Sequence, residues 1–136
     1  MWHLKDELRK MVFMYDKTLV IEILDQIIDA IETVKERCVF AKCEDDFTYT
    51  KEGQEKLDSI CMKLIAVGES LKKIDSITDK TLLTEYPQVE WRKIKGIRDF
   101  ISHHYFDLDA EVIFSICQRN IDNLLSTLKT IKVNLQ

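Results

Sequence analysis

The 136-residue sequence holds only three glycines and one proline, Pro87. So little punctuation argues against a strand-rich sandwich, whose many tight turns would need both residue types. No apolar run reaches the roughly 20 residues that cross a bilayer, and the N-terminus, MWHLKDELRKM, lacks the apolar core of a signal peptide. No CxxC pair and no histidine at zinc-finger spacing accompany Cys38, Cys43, Cys61 and Cys117. The cysteines therefore read as reduced, small hydrophobes rather than disulfide partners or metal ligands, and the expected compartment is the cytoplasm. Internal repeats, low-complexity tracts and alternating apolar–polar patterns are absent too. Basic residues are also short: the net charge of −4 repels phosphate, so any nucleic-acid contact must come from a local basic patch.

What is present is helical periodicity. With 46% hydrophobic and 32% charged residues, one domain spanning 1–136 can bury a core. Residues 2–15 read as an amphipathic helical extension. Asp16 offers an N-cap for a helix over about 17–38, with Val20, Leu24, Ile27, Ile31, Val34 and Cys38 on one stripe. The acidic stretch Cys43–Gly53 reads as a loop. A second helix starts near Thr50 and runs to about Lys73, striped by Leu57, Ile60 or Cys61, Leu64, Val67 or Gly68, Leu71 and Ile74. Gly68 costs such a helix about 1 kcal/mol against alanine, which suggests close approach of a neighbour. A short helical piece is expected at Thr81–Glu85, and a new helix begins between Pro87 and Trp91. Asp109 caps a last helix striped by Ile113, Cys117, Ile121, Leu124, Leu128 and Ile131. The expected fold is an all-α bundle of four main helices with short extra ones.

Chemistry concentrates in WRKIKGIRDFISHHYF, Trp91 to Phe106. Arg92, Lys93 and Lys95 flank its apolar stripe and are candidate phosphate contacts, with His104 a further polar group. Arg98 and His103 suit RNA cleavage. A histidine, with an unperturbed pKa of about 6.5, can take a proton from a 2′-hydroxyl or give one to a leaving oxygen. An arginine offers a permanent charge to the phosphoryl oxygens. The two residues lie about 140° apart around an ideal helix. They converge only if the helix distorts near His103 or a second copy of the chain completes the site. A di-metal bundle would need Glu-x-x-His pairs, and neither His103 nor His104 has a glutamate three residues before it; no metal or cofactor is expected.

Arg98-Asp99, three residues, His103, one residue, Tyr105 resembles the R-x-x-x-x-H-x-Y signature of the HepT-like branch of the HEPN superfamily. Pro87, Trp91, Ile94, Gly96-Ile97 and Tyr105-Phe106-Asp107-Leu108-Asp109 follow that family's order, and Ile65-Ala66-Val67-Gly68-Glu69-Ser70 is similar to its glycine–glutamate helix. The pattern departs at Asp99, where many relatives carry asparagine, and at His104, where they often carry glycine. The resemblance implies a HEPN-type helical bundle and a metal-independent endoribonuclease toxin of a toxin–antitoxin pair. It implies a homodimer with a composite site, Arg98 and His103 as catalytic pair, and Asp99 orienting the arginine. It also implies a nucleotidyltransferase antitoxin that transfers AMP to Tyr105. The alternative is a non-catalytic dimeric module that scaffolds such a partner.

Overall fold

A computed structural model describes residues 4–5, 15–104, 106 and 109–136. Apart from Leu4 and Lys5, which are helical, and Tyr15, which is not, the predicted extension over 2–15 lies outside the described residues, as do Tyr105, Asp107 and Leu108.

The Asp16 carboxylate accepts a hydrogen bond from Leu19 N (3.1 Å) and opens α1, Lys17–Cys38. Such a cap satisfies one of the amide groups orphaned at a helix start. The expected stripe is buried in full, from Val20 to Cys38, and Lys35 and Arg37 sit where the last turn's dipole favours cations. Thr50 Oγ1 accepts from Gly53 N (2.9 Å) and starts α2, Lys51–Thr78. This helix runs five residues beyond the expected Lys73. It stops where Asp79 and Lys80 take positive φ angles of 51° and 59°, the left-handed turn that closes many helices. Leu57, Ile60, Cys61, Leu64, Val67, Gly68, Leu71 and Ile74 are all buried, so both expected alternatives on each turn face the core.

The stretch between these helices is not the plain loop expected from its acidity. Glu44–Phe47 is a 3-10 turn that drives Phe47 to 0% exposure. Asp46 stabilises it by accepting from Lys42 N (2.7 Å) and Cys43 N (3.3 Å), and those two amides hold its carboxyl below the ordinary value. Gly53 allows the turn to lie on α2: a Cβ there would sit 2.0 Å from Asp46 O and 3.2 Å from Phe47 Cα. Gly53→Ala should therefore displace backbone under a buried phenylalanine. Overpacking of this kind costs about 1–3 kcal/mol, against about 1 kcal/mol of helix propensity gained. A lower urea midpoint at unchanged slope is the expected result; an unchanged or raised midpoint would contradict the packing.

The remaining helices are shorter. A 3-10 turn at Leu83–Glu85 replaces the helical piece expected over Thr81–Glu85. Trp91 Nε1 donates to Tyr86 O (2.9 Å) and locks the turn around Pro87 against α3, Trp91–Lys95. Gly96, at φ −82° and ψ −4°, separates α3 from α4, Ile97–His103. The Asp109 carboxylate accepts from Glu111 N (2.9 Å) at the start of α5, Ala110–Arg119. The single long last helix is in fact two: Asn120, at φ −113°, breaks it before α6, Ile121–Leu135. Asparagine competes for backbone partners and tolerates such a break. Among the described residues the architecture is all-α.

Helix α1 packs chiefly on α2 and then on α6. Lys35–Asp122 (2.9 Å), Lys129–Glu32 (3.2 Å) and Lys132–Asp25 (2.6 Å) pair α1 with α6 in antiparallel order. Exposed pairs like these contribute about 0–1 kcal/mol each, so they set register more than stability. The α3–α4 segment leans on α2, which decides where its charged residues point. One expectation fails outright: Cys38 and Cys117 form a disulfide, with Cα atoms 5.9 Å apart. Periodicity placed Cys38 and Cys117 on apolar faces but could not bring together residues 79 positions apart. Cys61 remains a buried thiol, its pKa pushed up to about 11 by burial and then by Asp58, and Cys43 is an exposed one. No described helix is long and apolar enough to cross a membrane.

Candidate active site

Gly68 brings the site together. Its missing side chain faces the α3–α4 junction: a Cβ there would lie 3.0 Å from Ile94 O and 3.4 Å from Lys95 O. The glycine expected to admit a neighbouring helix does so, and the neighbour is the segment that carries Arg98 and His103. Ile97 and Ile101 bury one side of α4, and Arg98, Asp99 and His103 are exposed on the remainder.

His103 ends the helix in a defined state. Its Nδ1 lies 2.7 Å from Asp99 O. A carbonyl oxygen only accepts, so Nδ1 carries hydrogen, and in the neutral ring Nε2 holds the basic lone pair. Asp99 thus acts on His103 through its backbone. The carboxylate that meets Arg98 is that of Glu69, with Oε1 3.7 Å from the guanidinium NH1 and 3.3 Å from Lys72 Nζ. Glu69 was visible in the sequence only as part of a helix; its role beside Arg98 depends on the α2–α4 packing. His104, next along, sets its ring 5.0 Å from that of Phe100, tilted by 40°.

The basic residues divide into two groups. Lys95, a candidate phosphate contact, turns toward α2 and pairs with the buried Asp75. Lys93 pairs with Glu90 on its own helix (2.9 Å). Arg92 and Lys93 line a groove of about 1130 Å³ whose floor includes Leu64, Ile97, Phe100, Val112, Ile116 and Leu124. Neither Arg98 nor Lys95 lines it. The groove belongs to the α3–α6 side, and Arg98 with Lys95 belongs to the α2 side.

Among the described residues, Glu44, Asp109 and Glu111 alone cluster at metal-ligand spacing, with ligand atoms within 4.8 Å. All three are exposed, and Asp109 is already engaged as the cap of α5. Partial desolvation, then Glu111, Asp45 and Asp109, raise the Glu44 carboxyl above its ordinary value. The cluster includes neither Arg98 nor His103.

Residues 21–131 match the family model described as "Ribonuclease HepT-like", so the chain belongs to the HepT-like family of the HEPN superfamily. It is 27% identical over 105 residues to "Putative RNase MJ0127" of Methanocaldococcus jannaschii, covering 76% of this chain and 81% of that protein. It is 28% identical over 103 residues to "Probable ribonuclease HepT" of Thermococcus cleftensis, covering 74% and 84%. No solved structure matches. The helical bundle expected from the sequence agrees with this membership.

Proposed function

We propose that the protein is a metal-independent endoribonuclease that uses Arg98 and His103 in a cleft shared by two copies of the chain. The supporting observation is the His103 Nδ1 hydrogen bond to Asp99 O, which leaves the lone pair of the neutral ring on Nε2 of an exposed side chain, on the same short helix as Arg98. Nε2 takes the proton of an RNA 2′-hydroxyl as O2′ bonds to phosphorus. The P–O5′ bond breaks, and an imidazolium, from this histidine or that of the second copy, protonates the 5′-oxygen. Arg98 meets charge on the phosphoryl oxygens. The products are a 2′,3′-cyclic phosphate and a 5′-hydroxyl, and the need for O2′ restricts the substrate to RNA. Arg92, with Lys93 and His104, contacts flanking RNA, and Asp99 supports the pair through its carbonyl.

The same reading makes the protein a toxin held by a nucleotidyltransferase antitoxin. Transfer of AMP to the Tyr105 oxygen, with release of pyrophosphate from ATP, would place bulk and negative charge two residues from His103 and repel RNA. The test is incubation of purified, AMP-free protein with RNA in EDTA at neutral pH, followed by analysis of the new ends. Cleavage leaving a 2′,3′-cyclic phosphate is expected. Intact RNA would favour the non-catalytic module that scaffolds its partner.

A further inference from the structure

We infer that Glu69 is a positioning residue that fixes the Arg98 guanidinium for phosphate; the inference rests on the ribonuclease reading and extends it to a residue of a different helix. Arg98 stands on a helix of seven residues, Ile97–His103, and its side chain is 54% exposed. A long, flexible arginine so placed samples many rotamers, and each misplacement removes it from the scissile phosphate. Glu69 stands on the 28-residue α2, whose Gly68 has the α3–α4 backbone against it. The close approach at Gly68 therefore sets the distance between the next residue, Glu69, and Arg98.

The Glu69 carboxylate is itself held. Lys72, one turn further along α2, meets the same Oε1 at 3.3 Å, so one oxygen lies between two cations. The contact with Arg98 runs through NH1, at 3.7 Å, and the guanidinium has further N–H donors with which to meet a phosphoryl group. An exposed pair of this kind contributes little to folding. Its effect is on where the guanidinium points, and this separates a positioning role from a structural one. Removing the carboxylate also removes negative charge beside the incoming phosphate, so substrate affinity should hold or improve while turnover falls.

The experiment compares wild-type protein with Glu69→Gln and Glu69→Ala, using Arg98→Lys to assign the Arg98 Nε–Hε resonance by NMR. The expected result is a distinct Arg98 resonance in the wild type that moves to the position of solvent-exposed arginines in Glu69→Ala. The melting temperature should stay unchanged, kcat on RNA should fall about tenfold or more, and KM should be unchanged or lower. Glu69→Gln, which keeps an acceptor oxygen, should recover part of the loss. An Arg98 resonance indifferent to both substitutions would overturn the inference, as would unchanged kcat or a loss of activity that tracks a falling melting temperature. If the wild type leaves RNA intact, the ribonuclease reading falls on that ground, and the Arg98 resonance alone still decides whether Glu69 fixes the guanidinium.

Discussion

Arg98→Ala and His103→Ala should each lower RNA cleavage by about 10³-fold while leaving the bundle folded. The size follows from what each side chain is asked to do. General acid–base groups supply roughly 10²–10⁴ in rate, and a fixed cation on the phosphoryl oxygens contributes on a similar scale. The folding half follows from exposure: both side chains point away from the core that Ile97 and Ile101 enter, and surface substitutions usually shift stability within about 0.5 kcal/mol. The variants should thus keep the wild-type helical CD spectrum and melting temperature and lose the cyclic-phosphate product together. Either one cleaving normally would remove its residue from the mechanism.

Mixing the two inactive variants sharpens that result. If one cleft draws its arginine and histidine from different copies, a mixed dimer of Arg98→Ala and His103→Ala retains one complete pair, and activity returns. If each chain uses its own pair, mixing restores nothing. This matters because Arg98 and His103 sit about 140° apart on an ideal helix, and α4 runs from Ile97 to His103. Both residues stand within this one seven-residue helix, so the angular separation read from the sequence applies to it.

Where sequence sufficed and where it did not follows from the range of each interaction. The stripes of α1 and α2 repeat every three or four residues, and the caps Asp16, Thr50 and Asp109 act within three residues of themselves. Such signals are local, and all were visible in the sequence. Phe47 was missed because its neighbours Glu44, Asp45 and Asp46 are acidic, and only the docking of Gly53 shows that an aromatic among them is buried. The break at Asn120 was hidden because the apolar spacing continues through it, from Ile113 to Ile131. Lys95–Asp75, Arg98–Glu69 and Cys38–Cys117 span 20, 29 and 79 positions. Each depends on how α2 or α1 packs against later helices, which no periodicity within one segment reports. For the candidate site, the motif pointed to Arg98 and His103, and only the packing showed Glu69 beside Arg98 and Lys95 paired with Asp75.

Loss of the Cys38–Cys117 disulfide should lower the stability of the fold substantially. Closing a loop of about 79 residues removes denatured-state entropy worth about 4.5 kcal/mol in the chain-entropy model, and measured values commonly run at about 2–4 kcal/mol. The position adds to the effect. Helix α5 buries only Ala110 and Ile113, so the bond to the end of α1 is a main anchor for it. Reduction, or Cys38→Ser with Cys117→Ser, should lower the melting temperature by about 10 °C and raise amide exchange first in α5, before the α1–α2 core. Thiol counting checks the premise. Unreduced native protein should label at Cys43 only, since burial keeps Cys61 protonated and enclosed. Unreduced denatured protein should add Cys61, and the remaining pair should appear only after reduction. Four reactive thiols before reduction would show that the bond is not formed. An equal melting temperature with and without reductant would show that α5 is held by its packing alone.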